Sequence, residues 1–126
     1  TLLPAASFYL KFGRFAPGRM LIECGVPVAI ASDVNPGGGF SPSIPFAMTL
    51  ACFGMGLTFE EALVGATING AYAAFEETER GSIVVGKRAD FTIFDKDIMS
   101  VPEAEILTAR NMMTVVNGEI VFVVSQ

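Results

Sequence analysis

The 126-residue sequence contains no histidine, two cysteines and little charge: 17% of its residues are Asp, Glu, Lys or Arg. Without histidine, the usual zinc or iron ligand sets cannot be assembled from this chain alone. Cys24 and Cys52 stand far apart, with no CxxC spacing. They are expected to be buried, reduced thiols of a cytoplasmic protein. The eight basic residues form no cluster and the net charge is −5, so no nucleic-acid footprint is expected. No apolar run approaches the roughly 18 residues of a membrane span, so no membrane partner is expected either. The opening TLLPAASFYLKFG does not read as a signal peptide.

What the chain has is grease: 52% of its residues are apolar. So much apolar surface on so little charge is expected of a piece covered by a partner subunit or by the rest of a longer polypeptide. TLLP reads as a short buried strand, ASFYLKFGRFAPG as part of a loop, and PGRMLIEC as a helix begun by Pro17 and closed by Gly25. VPVAIASD shows no polar alternation, the pattern of a parallel strand buried on both faces. Together they predict a βαβ unit. SPSIPFAMTLACFGMG is a mostly apolar helix, its Met and Phe side chains expected in the core. Thr58 with Glu61 three residues on spells a capping box for the next helix, FEEALVGATINGAYAAF. Gly65 and Gly70 in that helix each cost about 1 kcal/mol, which close packing on a neighbour would explain.

The period changes at Gly81. GSIVVGKRADFTIFD predicts a short strand, a turn at Gly86 and a second strand from Asp90 to Phe94. MMTVVNGEIVFVVSQ predicts a hairpin, Asn117-Gly118 being the strongest short hairpin signal available. Lys87 and Arg88 read as a solvated turn, Asp90 as a strand-start residue that satisfies nearby backbone donors, and Glu60 and Glu61 as helix-start acids. The chain is thus expected to be α/β up to residue 80 and all-β over 81–126.

Within this frame, one acid stands out. VPVAIASDVNPGGGF carries a buried apolar strand to Asp33 and then breaks into proline and glycine. A carboxylate there is costly to desolvate unless a cation or donors meet it. From the residues alone, Asp33 is either such a site or the Asx-turn residue ending a strand. The three glycines are equally compatible with simple loop flexibility.

Taken together, TLLPAASFYL, ECGVPVAIASDVNPGGGFSP, MTLACFGMGLTFEEALVGATINGAYAAF and GSIVVGKRADFTIFD resemble the C-terminal part of a metal-dependent amidohydrolase, most closely the imidazolonepropionase branch. The stretch Gly81 to Asp90 and the final VVNGEIV are common across amidohydrolases; Asp33 to Gly37 with LLP…SFYL upstream is the narrower signal.

The resemblance implies a (β/α)8 barrel of about 250 residues carrying a small β-sandwich. Residues 1–80 would then be the last two barrel strands with closing helices, and residues 81–126 the later sandwich strands. It implies that Asp33 ends the eighth strand as a ligand of one zinc or iron ion and as the proton-transferring catalytic group. Asn35 and the backbone amides of Gly37 and Gly38 would hold a substrate carboxylate. The implied reaction is hydrolysis of a cyclic amide C–N bond, imidazolone propionate to N-formimidoyl-glutamate in histidine degradation. The implied partners are a small-molecule substrate, the remainder of the enzyme chain and, in a homodimer, a second copy. Gly38 stands where relatives often carry a hydroxyl residue, and Ala5 where they carry glycine. Two other readings are a ring deaminase on the same fold, or a non-catalytic interaction module if the chain stands alone.

Overall fold

A computed structural model describes residues 1–125. Its elements are α1 (Pro4–Tyr9), α2 (Gly18–Glu23), α3 (Ile44–Met55), α4 (Phe59–Ala66), α5 (Ile68–Ala73), β1 (Phe91–Phe94), a 3-10 helix (Glu103–Thr108), β2 (Asn111–Val116) and β3 (Glu119–Val123). None of the described helices is long and apolar enough to cross a membrane.

The core forms around α3. Ala47, Met48, Ala51, Cys52 and Met55 on its inner face are buried, joined by Leu57 from the α3–α4 connection and by Phe59 and Ala62 of α4. The outer face of α3 is not covered: Phe53, expected in the core, is exposed. Pro45 sits in the first turn of α3, where no N–H is needed, and Ser43 Oγ accepts from Phe46 N at 3.2 Å.

The two apolar stretches expected as parallel strands meet through a single parallel bridge, Leu2 to Ile30. Leu2 N donates to Ala29 O at 2.8 Å and Ala31 N to Leu2 O at 3.1 Å. The pairing cannot lengthen beyond it, because Pro4 opens α1 two residues after Leu2. The expected loop after TLLP is therefore in part a helix, which the proline at its first turn nucleates.

The capping box is present as spelled: Glu61 N donates to Thr58 Oγ1 at 3.2 Å and Thr58 N to Glu61 Oε2 at 2.8 Å. The single helix expected beyond it is two. At Thr67 (φ −120°, ψ −84°) the helix breaks, and the carbonyl of Gly65 accepts instead from Ile30 N at 2.9 Å. Gly65 does pack closely, since a β-carbon there would lie 3.2 Å from Ile30 Cγ1. Gly70 has ordinary space around it, so close packing does not account for that glycine.

The C-terminal part is a three-stranded antiparallel sheet in the order β1-β2-β3. Phe91 pairs with Val115 and Met113 with Val123. Asn117 (φ 52°) and Gly118 (φ 84°) form the hairpin turn, both in the left-handed region that such a turn demands. Asp90 performs the structural task expected of it, its Oδ1 accepting from Asn117 N at 2.7 Å. The strand expected at 81–85 is not formed: Ile83, Val84 and Val85 are exposed and have no sheet neighbour among the described residues. Lys87 and Arg88 are not merely solvated. Lys87 Nζ donates to the carbonyls of Glu77 and Arg80, and Arg88 pairs with Glu79 at 3.0 Å. Helical and sheet parts share one core through Ile106 of the 3-10 helix, which is buried against α3. Cys52 is buried as expected, but Cys24, at the exposed end of α2, is not.

Candidate functional site

Val28, Ala29 and Ile30 lie in the core at about 5% exposure each. Ala31, Ser32 and Asp33 rise half-buried out of it, and Val34 to Gly37 are exposed. The apolar run thus delivers Asp33 to the rim of the packed region, as its sequence predicts. α1 flanks the loop that follows, with Ala5 against Gly39 and the Tyr9 ring edge-on to Phe40 at 4.2 Å. The two stretches carrying the narrower resemblance are therefore brought together.

The backbone at Asp33 is left-handed, with φ at 50°. Aspartate and asparagine tolerate this region better than other side chains, though less easily than glycine. The turn folds residues 33–39 into a small ring. Gly39 N donates to Asp33 O at 2.9 Å, Asn35 N to Gly39 O at 3.2 Å, and Gly38 N to Asn35 O at 3.1 Å. The Asn35 side chain closes the ring from within. Its Nδ2 lies 2.9 Å from both Asp33 O and Asp33 Oδ1, and its Oδ1 accepts from Gly37 N at 2.9 Å. Asn35, not Asp33, is therefore the Asx-turn residue.

Asp33 Oδ2 is left without a hydrogen-bond partner among the described residues. It lies beside Gly38, where a β-carbon would stand 2.6 Å from Oδ2 and 2.5 Å from Asp33 O. The missing side chain at 38 is what gives this oxygen room. Among the described residues no group of three or more His, Cys, Asp or Glu side chains surrounds a common point. Asp33 is a single hard-oxygen donor, suited to contribute one ligand to a cation whose other ligands come from elsewhere.

The four residues expected at the site share one loop. The amides of Gly37 and Gly38 are both engaged by Asn35, on its side-chain and main-chain oxygens respectively. An anion reaching them would have to displace those acceptors. A cavity of about 590 Å³, lined by Ile44, Met48, Leu63, Thr92, Phe94 and Asn111 among others, lies between helices and sheet and does not include Asp33.

A second polar constellation escaped the sequence reading. Arg19 forms a two-pronged pair with Glu61, Nη1 to Oε2 at 2.9 Å and Nη2 to Oε1 at 2.7 Å, tying α2 to the start of α4. The Arg19 guanidinium and the Thr58 N–H hold the Glu61 carboxyl below the ordinary carboxylate range. Nothing in the sequence marks a partner 42 positions away.

A model of the amidohydrolase family matches residues 4–122. The imidazolonepropionase of Syntrophobacter fumaroxidans is 51% identical over 94 residues, which cover 75% of this chain and 22% of that protein. That of Bacteroides fragilis is 50% identical over 97 residues, 77% of this chain and 23% of that protein. The chain therefore spans less than a quarter of the length of these curated relatives. Among solved structures, E. coli guanine deaminase superposes with a TM-score of 0.77 at 20% identity, covering 98% of this chain and 33% of that one. A 5-methylcytosine deaminase from Klebsiella pneumoniae gives 0.71 at 19% identity, covering 89% and 28%. At such identities the likeness is one of fold. A helical layer with a small antiparallel sheet, superposing on amidohydrolase-type folds and matched by the family model over nearly its whole length, places this chain in the amidohydrolase family.

Proposed function

We propose that this chain is the C-terminal part of a metal-dependent hydrolase that opens a cyclic amide, converting imidazolone propionate to N-formimidoyl-glutamate. The observation that carries the reading is its identity of about one half to imidazolonepropionases over three quarters of its length. Likeness to the two deaminases, at 19–20% identity, speaks for the fold and not for their reactions. In this reading residues 1–80 are the end of a (β/α)8 barrel and residues 81–126 are strands of a composite β-sandwich.

The donor chemistry of Asp33 fits a zinc or iron ion: a carboxylate at the rim of the core, one oxygen hydrogen-bonded and the other free. Such an ion supplies Lewis acidity, which polarises a carbonyl and makes a water acidic enough to ionise near neutrality. Asp33 then has two tasks. Its free Oδ2 would hold the ion, and the carboxylate takes the proton of the attacking water as the new C–O bond forms. It gives that proton to the ring nitrogen as the C–N bond breaks, so the leaving group departs neutral. Asn35 and the amides of Gly37 and Gly38 are the proposed seat of the propionate carboxylate. Glycine lets backbone N–H groups approach an anion closely, but seating it here requires the ring of 33–39 to exchange internal bonds for external ones.

The full-length protein carrying Asp33→Ala is expected to retain its fold by circular dichroism and to lose turnover of imidazolone propionate. Asp33→Asn, which keeps the side-chain shape and tolerates the left-handed backbone, is expected to do the same. Wild-type kcat in either variant would remove Asp33 from the reaction. A full-length protein that deaminated another ring and left imidazolone propionate untouched would keep the fold and overturn the substrate.

A further inference from the structure

We propose that Asn35 is a positioning residue for Asp33, a role separate from any contact it makes with substrate. The inference rests on the reading of Asp33 as a cation ligand and adds a residue that acts through it. One amide nitrogen, Asn35 Nδ2, meets both the main-chain oxygen and the carboxylate Oδ1 of Asp33, each at 2.9 Å. The same amide is held at its other end, where Oδ1 accepts from Gly37 N at 2.9 Å. This fixes which way the amide faces, since the reverse orientation would set oxygen against two oxygens and N–H against N–H. The side chain is thus braced at three points. Without the brace, the Asp33 carboxylate would rotate about its terminal torsion and present two equivalent oxygens. With it, Oδ1 is engaged and Oδ2 alone is left free, in the space beside Gly38, which would select single-oxygen ligation. Hydrogen bonds to the non-ligating part of a metal ligand commonly govern affinity in this way.

The test uses the full-length protein and zinc alone. Asn35→Ala is expected to weaken zinc binding, measured by competition with a chelator, by about 10–100-fold, and to lower kcat. Asn35→Ser keeps a hydroxyl able to accept from Gly37 N but is too short to brace the Asp33 carboxylate, so it should lose zinc affinity to a similar extent. A variant with native zinc affinity and kcat but a raised KM would make Asn35 a substrate contact only and overturn the proposal. Full recovery in Asn35→Ser would trace the effect to loop shape and overturn it equally. Undiminished zinc affinity in Asp33→Asn would instead sink the underlying assignment of Asp33, whatever Asn35 does.

Discussion

At the scale of single residues, the loop of 33–39 shows how much can rest on an absent side chain. Gly38 is buried, and a β-carbon there would lie within 2.7 Å of three atoms, Asp33 O, Asp33 Oδ2 and Asn35 Nδ2. One of those atoms is backbone, so no rotamer change can relieve the clash. Gly38→Ala is expected to displace the ring, destabilising its closed form by about 1–3 kcal/mol. In the full-length protein this should appear as weakened zinc binding in the chelator assay; native affinity would show that the ring adapts freely. The position of Asp33 was legible in the sequence, because an acid and a proline after an apolar run mark where the chain leaves the core, although Val26 and Pro27 at the start of that run are exposed and not buried as expected. The pairing of Asn35 with Asp33 was not. A D-x-N-P-G stretch reads as turn chemistry, and which of the two side chains braces the other depends on the positive φ at Asp33, which no local pattern signals.

At the scale of elements, legibility follows the distance between partners. The Thr58–Glu61 box spans three residues and was readable. Its value is about 1 kcal/mol, so Thr58→Ala should lower the unfolding free energy of the full-length protein by that amount in a denaturant titration. Glu61 also carries the Arg19 pair, and its carboxyl is held below the ordinary range. A carboxyl depressed on folding adds stability above its unfolded pKa and loses it as pH falls through the folded one. Glu61→Gln is therefore expected to destabilise near neutrality and to flatten the fall in stability below about pH 4; an unchanged acid limb in thermal melts would refute this. Both side chains are partly exposed, so solvent screening keeps the effect modest. The break between α4 and α5 was not readable, because it depends on a carbonyl claimed by Ile30, 35 positions earlier. Likewise, Ile83 to Val85 has the composition of a strand, but a strand needs a neighbour, and none is at hand among the described residues.

At the scale of the whole molecule, the 52% apolar content finds no sufficient interior. Phe53, Phe75, Ile83, Val85 and all five residues of β3 are exposed. β3 is an outer strand with one edge unpaired in the described sheet, a surface that proteins otherwise take care to cover. Produced by itself, this 126-residue chain is expected to self-associate and to bind a hydrophobic dye strongly, as judged by sedimentation and fluorescence. A monodisperse monomer indifferent to the dye would show that these faces need no cover. The loop at Asp33 follows a different rule. Its three main-chain bonds and the three made by Asn35 join residues no more than six positions apart, so closing the ring involves little loop entropy and no distant partner. A nascent polypeptide could therefore set the Asp33 carboxylate in its turn as soon as this short segment is made, before the surrounding architecture has come to rest.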